Sequence, residues 1–354
     1  MPALDAVVIG SGPNGLSAAI TLARAGRSVR VYEAAPIVGG GMRSEALTEP
    51  GCTHDVCATV FSIALVSPFL KTLPLAEHGL EFVHPEAPLA HPLDDGTAVV
   101  VERSIERTGA SLDAADKRAY CDLMVPMVAR AEPLMESLLA PVNLKHPWSL
   151  ASFRLKAIQS AVALARRRFR GARARAMFAG VAAHSLVPLE FAATAGYGFG
   201  LLLGAHSVGW PVVRGGSQNA ANAMASYLRS LGGEIVTGER IQSLEQLPQS
   251  RVVLCDVTPR QLLVLAGDRV PAGYRRRLER FRYGPGVFKM DWTLNSPVPW
   301  RAKECGRAGT LHLGGTLEEI AASEQAPWNG RVSDRPFVLV VQPTMFDASR
   351  APAG

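Results

Sequence analysis

From Ala6 to Ile9 the chain reads AVVI, a short apolar run, and it then enters Gly10-Ser11-Gly12-Pro13-Asn14-Gly15. Leu16 to Ala25 (LSAAITLARA) places its apolar residues at helical spacing and stops at Gly26. Ser28 to Tyr32 (SVRVY) returns to a strand pattern and ends at Glu33, 18 residues after Gly15. Further along, Gly215-Gly216-Ser217 opens a helical stretch that reaches Leu231, Gly232-Gly233 ends it, and Glu234 to Val236 and Arg251 to Cys255 read as strands. Residues 61–206 are expected to be mostly helical after the Asp94-Asp95-Gly96 turn, and Val287 to Leu294 and Phe337 to Gln342 to be strands. Internal repeats and low-complexity linkers are not evident.

The first unit has the order strand, GxGxxG, helix, strand, acid, which is the arrangement that binds dinucleotides. Gly10 permits the tight turn, Gly12 lets backbone approach a pyrophosphate, and Gly15 lets helix and strand pack closely. The helix then presents free N–H groups and the positive end of its dipole to the phosphates. Glu33 is placed to accept hydrogen bonds from ribose hydroxyls. Six residues past Glu33, Gly39-Gly40-Gly41 offers a second close backbone approach to the same cofactor, followed by Met42 and by Arg43, which can reach the pyrophosphate or a flavin. That second loop favours FAD over NAD.

Composition narrows the class. With 354 residues, 48% of them apolar and 19% charged, the chain has length for two domains and excludes disorder, collagen and coiled coil. Five scattered cysteines without a CxxC pair or a zinc spacing indicate a reducing compartment and no metal site. Without a signal-like leader at the N-terminus, a cytoplasmic location is expected. The net charge of +6 is uneven, because residues 137–189 hold nine Lys/Arg and no acid. Arg166, Arg167, Arg168, Arg170, Arg173 and Arg175 form its centre, read as a solvated helix face or a peripheral contact with an anionic membrane, not as a nucleic-acid site. Phe191 to Val213 is uncharged and long enough to test as a membrane span, but its glycines and Pro211 favour a buried segment.

The GxGxxG, acid and GG arrangement resembles the amine oxidase and phytoene desaturase superfamily of FAD enzymes, nearest its phytoene dehydrogenase-like members. The likeness continues through GCTHDVC (Gly51 to Cys57), WPVVRGGSQNAANAMASYLRSLGGEI (Trp210 to Ile235), YGPGVFKMDW (Tyr283 to Trp292) and HLGGTLEEIAASE (His312 to Glu324). It implies an α/β fold: a Rossmann-like FAD-binding domain (1–60 and 207–266, discontinuous) with an inserted α+β substrate domain (61–206 and 267–354). It implies FAD held by Gly10, Ser11, Gly12, Pro13, Asn14, Gly15, Glu33, Gly39, Gly40, Gly41, Met42 and Arg43, with Ile241 touching the adenine side through its backbone. The implied activity is an FAD-dependent oxidoreductase that removes hydride from an apolar or amine substrate. No catalytic residue is singled out; His54 and Asp55, close after the glycine loop, are the nearest candidates. Family members close the flavin site with a further Gly-rich FAD contact and a terminal helix. Here the sequence reaches Ala351-Pro352-Ala353-Gly354 without them, so a fragment that holds FAD weakly is expected.

Two other functions are weighed. A non-catalytic regulatory protein would keep the nucleotide fold without turnover. A flavoprotein disulfide reductase would use Cys52 and Cys57, which have Cx4C spacing. In that group, however, the cysteines directly follow the glycine loop, and a second GxGxxG is needed, whereas GYGFG at Gly196 and GPG at Gly284 lack the strand-loop-helix context.

Overall fold

The computed structural model describes residues 3–139 and 153–352. Eight strands build two four-stranded sheets: β1 (Leu4–Ile9), β2 (Val29–Tyr32), β3 (Ala87–Pro92), β4 (Ala98–Val101), β5 (Glu234–Val236), β6 (Ser250–Cys255), β7 (Ala308–Leu313) and β8 (Val338–Val341). The helices that matter below are α1 (Pro13–Arg24), α2 (Ala114–Val128), α3 (Ala161–Arg168), α4 (Ala172–Ala182), α5 (Thr194–Ser207), α6 (Gln218–Ser230) and α7 (Leu317–Trp328).

The first sheet has the order β6-β1-β2-β5 and is parallel throughout. Ile9 pairs with Tyr32 and Cys255, and Tyr32 with Val236, so the carboxyl ends of all four strands share one edge. Parallel strands are covered on both faces, which is why AVVI is apolar without alternation. Ala6 and Val8 pack with Leu16, Ala19 and Ile20 of α1 and with Ala221 and Met224 of α6. Val7 and Ile9 pack on the opposite face with Ile241 and Leu265. The small residues of α1 and α6 let the two helices meet closely over the sheet.

The second sheet, β8-β7-β3-β4, is antiparallel except where β7 runs parallel to β3. Leu89, Val99 and Val101 turn one face toward α4 and α5, where Phe178 and Phe199 form the aromatic centre of the largest core. Ala87, Ala90, Val100 and Leu311 turn the other face toward Ala302 and Cys305.

Two expectations meet the structure differently. Phe337 to Gln342 supplies β8, but Val287 to Leu294 forms no strand. Its polar face is fixed, with His54 Nδ1 3.4 Å from Asp291, which also pairs with Lys289, and Thr293 bonded to Thr48. Phe288, Met290, Trp292 and Leu294 all stay exposed, Phe288 at 89%. The alternation is present, but no neighbouring strand among the described residues completes a ladder, and a strand needs a hydrogen-bonded partner. The uncharged run from Phe191 holds the 14-residue α5, most of whose residues are buried in the protein core. No helix among the described residues is long and apolar enough to cross a membrane.

Candidate functional site

The phosphate loop lies at the carboxyl edge of the parallel sheet, where β1 turns into α1. Gly12 is the N-cap and Pro13 opens the helix, its fixed φ suited to the first turn and its missing N–H no loss there. The second glycine loop comes back onto the first: the Gly39 N–H donates to Ser11 O at 3.0 Å. Gly40 has φ +53, and a Cβ on it would stand 3.0 Å from the Gly12 Cα. A side chain at Gly40 would therefore both strain the backbone and push the two loops apart.

Glu33 follows the last residue of β2 and closes the third side. Its carboxylate accepts from the Ser11 N–H (2.9 Å), the Ser11 hydroxyl (2.6 Å) and the Ala35 N–H (2.8 Å). Partial burial works to raise its pKa, but the bonds from Ser11 and Ala35 and the charge of Arg43 outweigh it, so the group is held below its ordinary value and is ionised at neutral pH. Arg43 turns its Nε to Gly40 O at 3.2 Å and its guanidinium toward Glu45 at 3.5 Å. Met42 is buried beneath the loop. Gly10 to Gly15, Glu33 and Gly39 to Arg43 thus converge at one edge. Ile241 is buried with Val7, Ile9, Tyr32 and Leu265 on the adjoining face.

His54 and Asp55 are neighbours in sequence with different surroundings. The His54 Nε2 bonds the Thr48 hydroxyl at 2.7 Å. Asp55 is buried; its Oδ1 accepts from the Ser44 hydroxyl and the Ser217 N–H (2.7 Å each), and its Oδ2 is 2.7 Å from Arg350. The Arg350 guanidinium, fully buried, also donates to Asp347 Oδ2 (3.1 Å) and Val213 O (2.7 Å), while Asp347 accepts from the Gly215 N–H at 2.8 Å. This network ties residues 347–350 to Asp55 and to the Gly215-Gly216-Ser217 turn before α6.

Sequence reading missed Arg350, Asp347 and Asp256. Asp256 follows β6 directly, and its Oδ2 accepts from the Gly15 N–H at 2.9 Å. The N-cap glycine has no side chain to offer that N–H, so the cap comes from a residue 241 positions away. The available signal was an acid immediately after the apolar run RVVLC, since ligands gather at the carboxyl ends of parallel strands.

The cysteines Cys52, Cys57, Cys121, Cys255 and Cys305 are all free, Cys52 buried and Cys57 exposed beside Gly41. In the basic run, Arg166 pairs with Glu318 (3.1 Å), Arg167 with Gln159, Arg173 with Thr97 and Ala98, and Arg175 with Phe169 O. Arg168 and Arg170 remain exposed at the end of α3, where a positive charge suits the helix dipole. Lys145 of the same run lies outside the described residues.

Residues 8–73 match the family model of the NAD(P)-binding Rossmann-like domain. Pyridine nucleotide-disulfide oxidoreductase domain-containing protein 2 of Rattus norvegicus is 24% identical over an alignment that covers 100% of this chain and 72% of the rat protein. One polypeptide of the limonene dehydrogenase of Castellaniella defragrans is 34% identical over 108 residues, and the match spans only 19% of that polypeptide. Among solved structures, an oxidoreductase of Methanosarcina mazei superposes with a TM-score of 0.60 at 17% identity, covering 98% of this chain and 76% of that one. A putrescine oxidase variant superposes with a TM-score of 0.52 at 20% identity, covering 78% of this chain and 63% of the oxidase. Residues 8–73 therefore match an NAD(P)-binding Rossmann-like domain, the chain is similar over its length to pyridine nucleotide-disulfide oxidoreductase domain-containing protein 2, and its fold is like those of the Methanosarcina mazei oxidoreductase and the putrescine oxidase.

Proposed function

We propose that the protein is an FAD-dependent oxidoreductase that takes hydride from a C–H bond of an apolar or amine substrate. The observation that carries this reading is the contact of the second glycine loop with the phosphate loop, Gly40 against Gly12, beside an ionised Glu33. A nicotinamide dinucleotide needs the phosphate loop and the acid alone; the second loop gives the extra backbone approach that a flavin dinucleotide uses. Gly10 to Gly15 would hold the pyrophosphate, Glu33 the adenosine ribose, and Gly39 to Arg43 the part of the cofactor nearer the ring. Bound FAD supplies the hydride acceptor; the chain supplies position, charge and exclusion of water.

The likeness to a limonene dehydrogenase and to a putrescine oxidase supports an apolar hydrocarbon or an amine as the substrate class. Asp55, held by Arg350, Ser44 and Ser217, acts in this reading as scaffold for the loops and not as a base.

The test is equilibrium titration with FAD and with NAD, FAD binding being read from the change in flavin fluorescence. The wild type is expected to bind FAD measurably, though weakly. Gly12→Val, which fills the approach to the loop, is expected to bind none while its far-ultraviolet circular dichroism is unchanged. Equal FAD affinity of both proteins, or tighter binding of NAD than of FAD, would overturn the assignment.

A further inference from the structure

Asp256 lies at the carboxyl edge of the parallel sheet, beside the glycine loop. The sheet order β6-β1-β2-β5 reverses between β1 and β6, and in such sheets ligands enter the crevice outside the carboxyl ends of the two strands that flank the reversal. Ile9 and Cys255 are paired at those ends, and Asp256 is the next residue after Cys255. Its Oδ2 bonds the Gly15 N–H at the start of the 12-residue α1, a donor at the positive end of the helix dipole.

The glycine geometry places the same oxygen against the loop. Beyond its chain neighbours, a Cβ built on Gly12 would meet one atom within 4 Å, Asp256 Oδ2, at 3.0 Å. The space left clear by the missing Gly12 side chain, through which a pyrophosphate approaches the loop, is bordered by this carboxylate. The same oxygen stands 3.1 Å from a Cβ built on Gly15.

We infer that Asp256 is an internal phosphate mimic: its carboxylate sits against the glycine loop at the helix N-terminus as an anion would, and an incoming pyrophosphate must compete with it. The inference rests on the dinucleotide reading of the site given above. Asp256 then sets affinity through charge, because its negative group opposes the phosphates when they arrive and rewards the helix N-terminus when they leave. The opposition is specific to ligands that carry phosphate. Adenosine, which reaches Glu33 without entering the crevice, escapes it.

The experiment compares wild type, Asp256→Asn and Asp256→Asn/Gly12→Val by calorimetric titration with ADP, FAD and adenosine. Asparagine keeps an oxygen to accept from Gly15 and removes the charge, so the cap survives; equal thermal midpoints of wild type and Asp256→Asn check this. ADP and FAD are expected to bind Asp256→Asn about tenfold or more tightly than wild type, the size of one unit charge near a phosphate in partly screened surroundings. Adenosine affinity is expected to be unchanged, and the double variant to bind neither ADP nor FAD. Equal or weaker ADP binding by Asp256→Asn would overturn the mimic while leaving the dinucleotide site standing. A gain shared by adenosine would show a structural effect and overturn it too. Absence of ADP and FAD binding in both folded single proteins would overturn the dinucleotide reading, and the mimic with it.

Discussion

Replacing Arg350 by methionine is the most demanding test of the architecture around the site. The guanidinium is fully buried and compensates two carboxylates that are themselves buried, Asp55 at 2.7 Å and Asp347 at 3.1 Å, and it donates to Val213 O. Methionine fills much of the volume of the stem but leaves Asp55 without its counter-charge and Asp347 with only the more distant Arg214, 4.0 Å away. Breaking a buried ion pair by removing one partner costs about 3–5 kcal/mol, and the stranded Val213 carbonyl adds about 1 kcal/mol. Against a total stability of about 5–15 kcal/mol, Arg350→Met is therefore expected to lose about a quarter or more of it. Urea unfolding at pH 7, followed by circular dichroism, measures the loss. A second variant separates charge from packing: Arg350→Met/Asp55→Asn/Asp347→Asn removes all three charges while the amide oxygens still accept from Ser44, Ser217 and Gly215. It should recover more than half of the loss, because a buried triad replaced as a whole is far less costly than one broken. A loss below about 1 kcal/mol for Arg350→Met, or a triple variant no more stable than the single one, would refute the reasoning.

Three further outcomes are expected. Burial lowers the His184 pKa to about 4, so folding excludes a proton that the unfolded imidazole binds below about pH 6.5. Its contribution to stability is intact above that pH and falls as pH drops toward 4, by about 2 kcal/mol between pH 7 and 5; His184→Asn should flatten the urea-derived pH slope by that amount, and an unchanged slope would sink the idea. Burial raises the Glu324 carboxyl to about 7, the opposite sign: folding takes up a proton, and stability is lost as pH rises from about 4.5 to 7. With solvent screening of its exposed part discounted, Glu324→Gln is thus expected to stabilise by about 2 kcal/mol at pH 8 and negligibly at pH 4, whereas a gain of the same size at both values would point to packing alone. Finally, we propose that Arg168 and Arg170 give the protein a salt-sensitive hold on anionic vesicles worth about 1 kcal/mol each; sedimentation of Arg168→Ser/Arg170→Ser with anionic and neutral vesicles should show the anionic preference reduced, and equal partition of the wild type would reject it.

The parts of the site that were legible in the sequence are those written in consecutive residues. The run from Ala6 to Glu33 carries its own turn, helix start, helix stop and second strand, so local preference and tertiary fold agree there. Gly39 to Gly41 is readable as a tight loop for the same reason, and the structure packs it against Gly12 and Ser11. What was not legible depends on residues brought together by topology. Nothing near Gly15 announces that its N–H is capped by Asp256, and nothing near Asp55 announces Arg350. The segment Val287 to Leu294 shows the opposite limit: it has the alternation of a strand, but strand formation is decided by a partner elsewhere, and periodicity says nothing of whether one is supplied.

The reach of the Arg350 bond to Asp55, 295 positions along the chain, also sets an order of events on the ribosome. At about 5–20 residues per second, Asp55 leaves the peptidyl-transferase centre roughly 15 to 60 s before Arg350 is made. Through that interval β1, α1 and β2 can form from their own sequence, while the Asp55 carboxylate and the turn at Gly215 to Ser217 wait, hydrated, for the cation that will bury them. Until residues 347 to 350 are made, Asp55 and the turn at Gly215 to Ser217 lack the buried ion pair to Arg350 and the hydrogen bond to Asp347 that tie them together. Maturation of the site is coupled to completion of residue 350, and a stalled or prematurely released polypeptide would present these loops to chaperones and proteases in unfinished form.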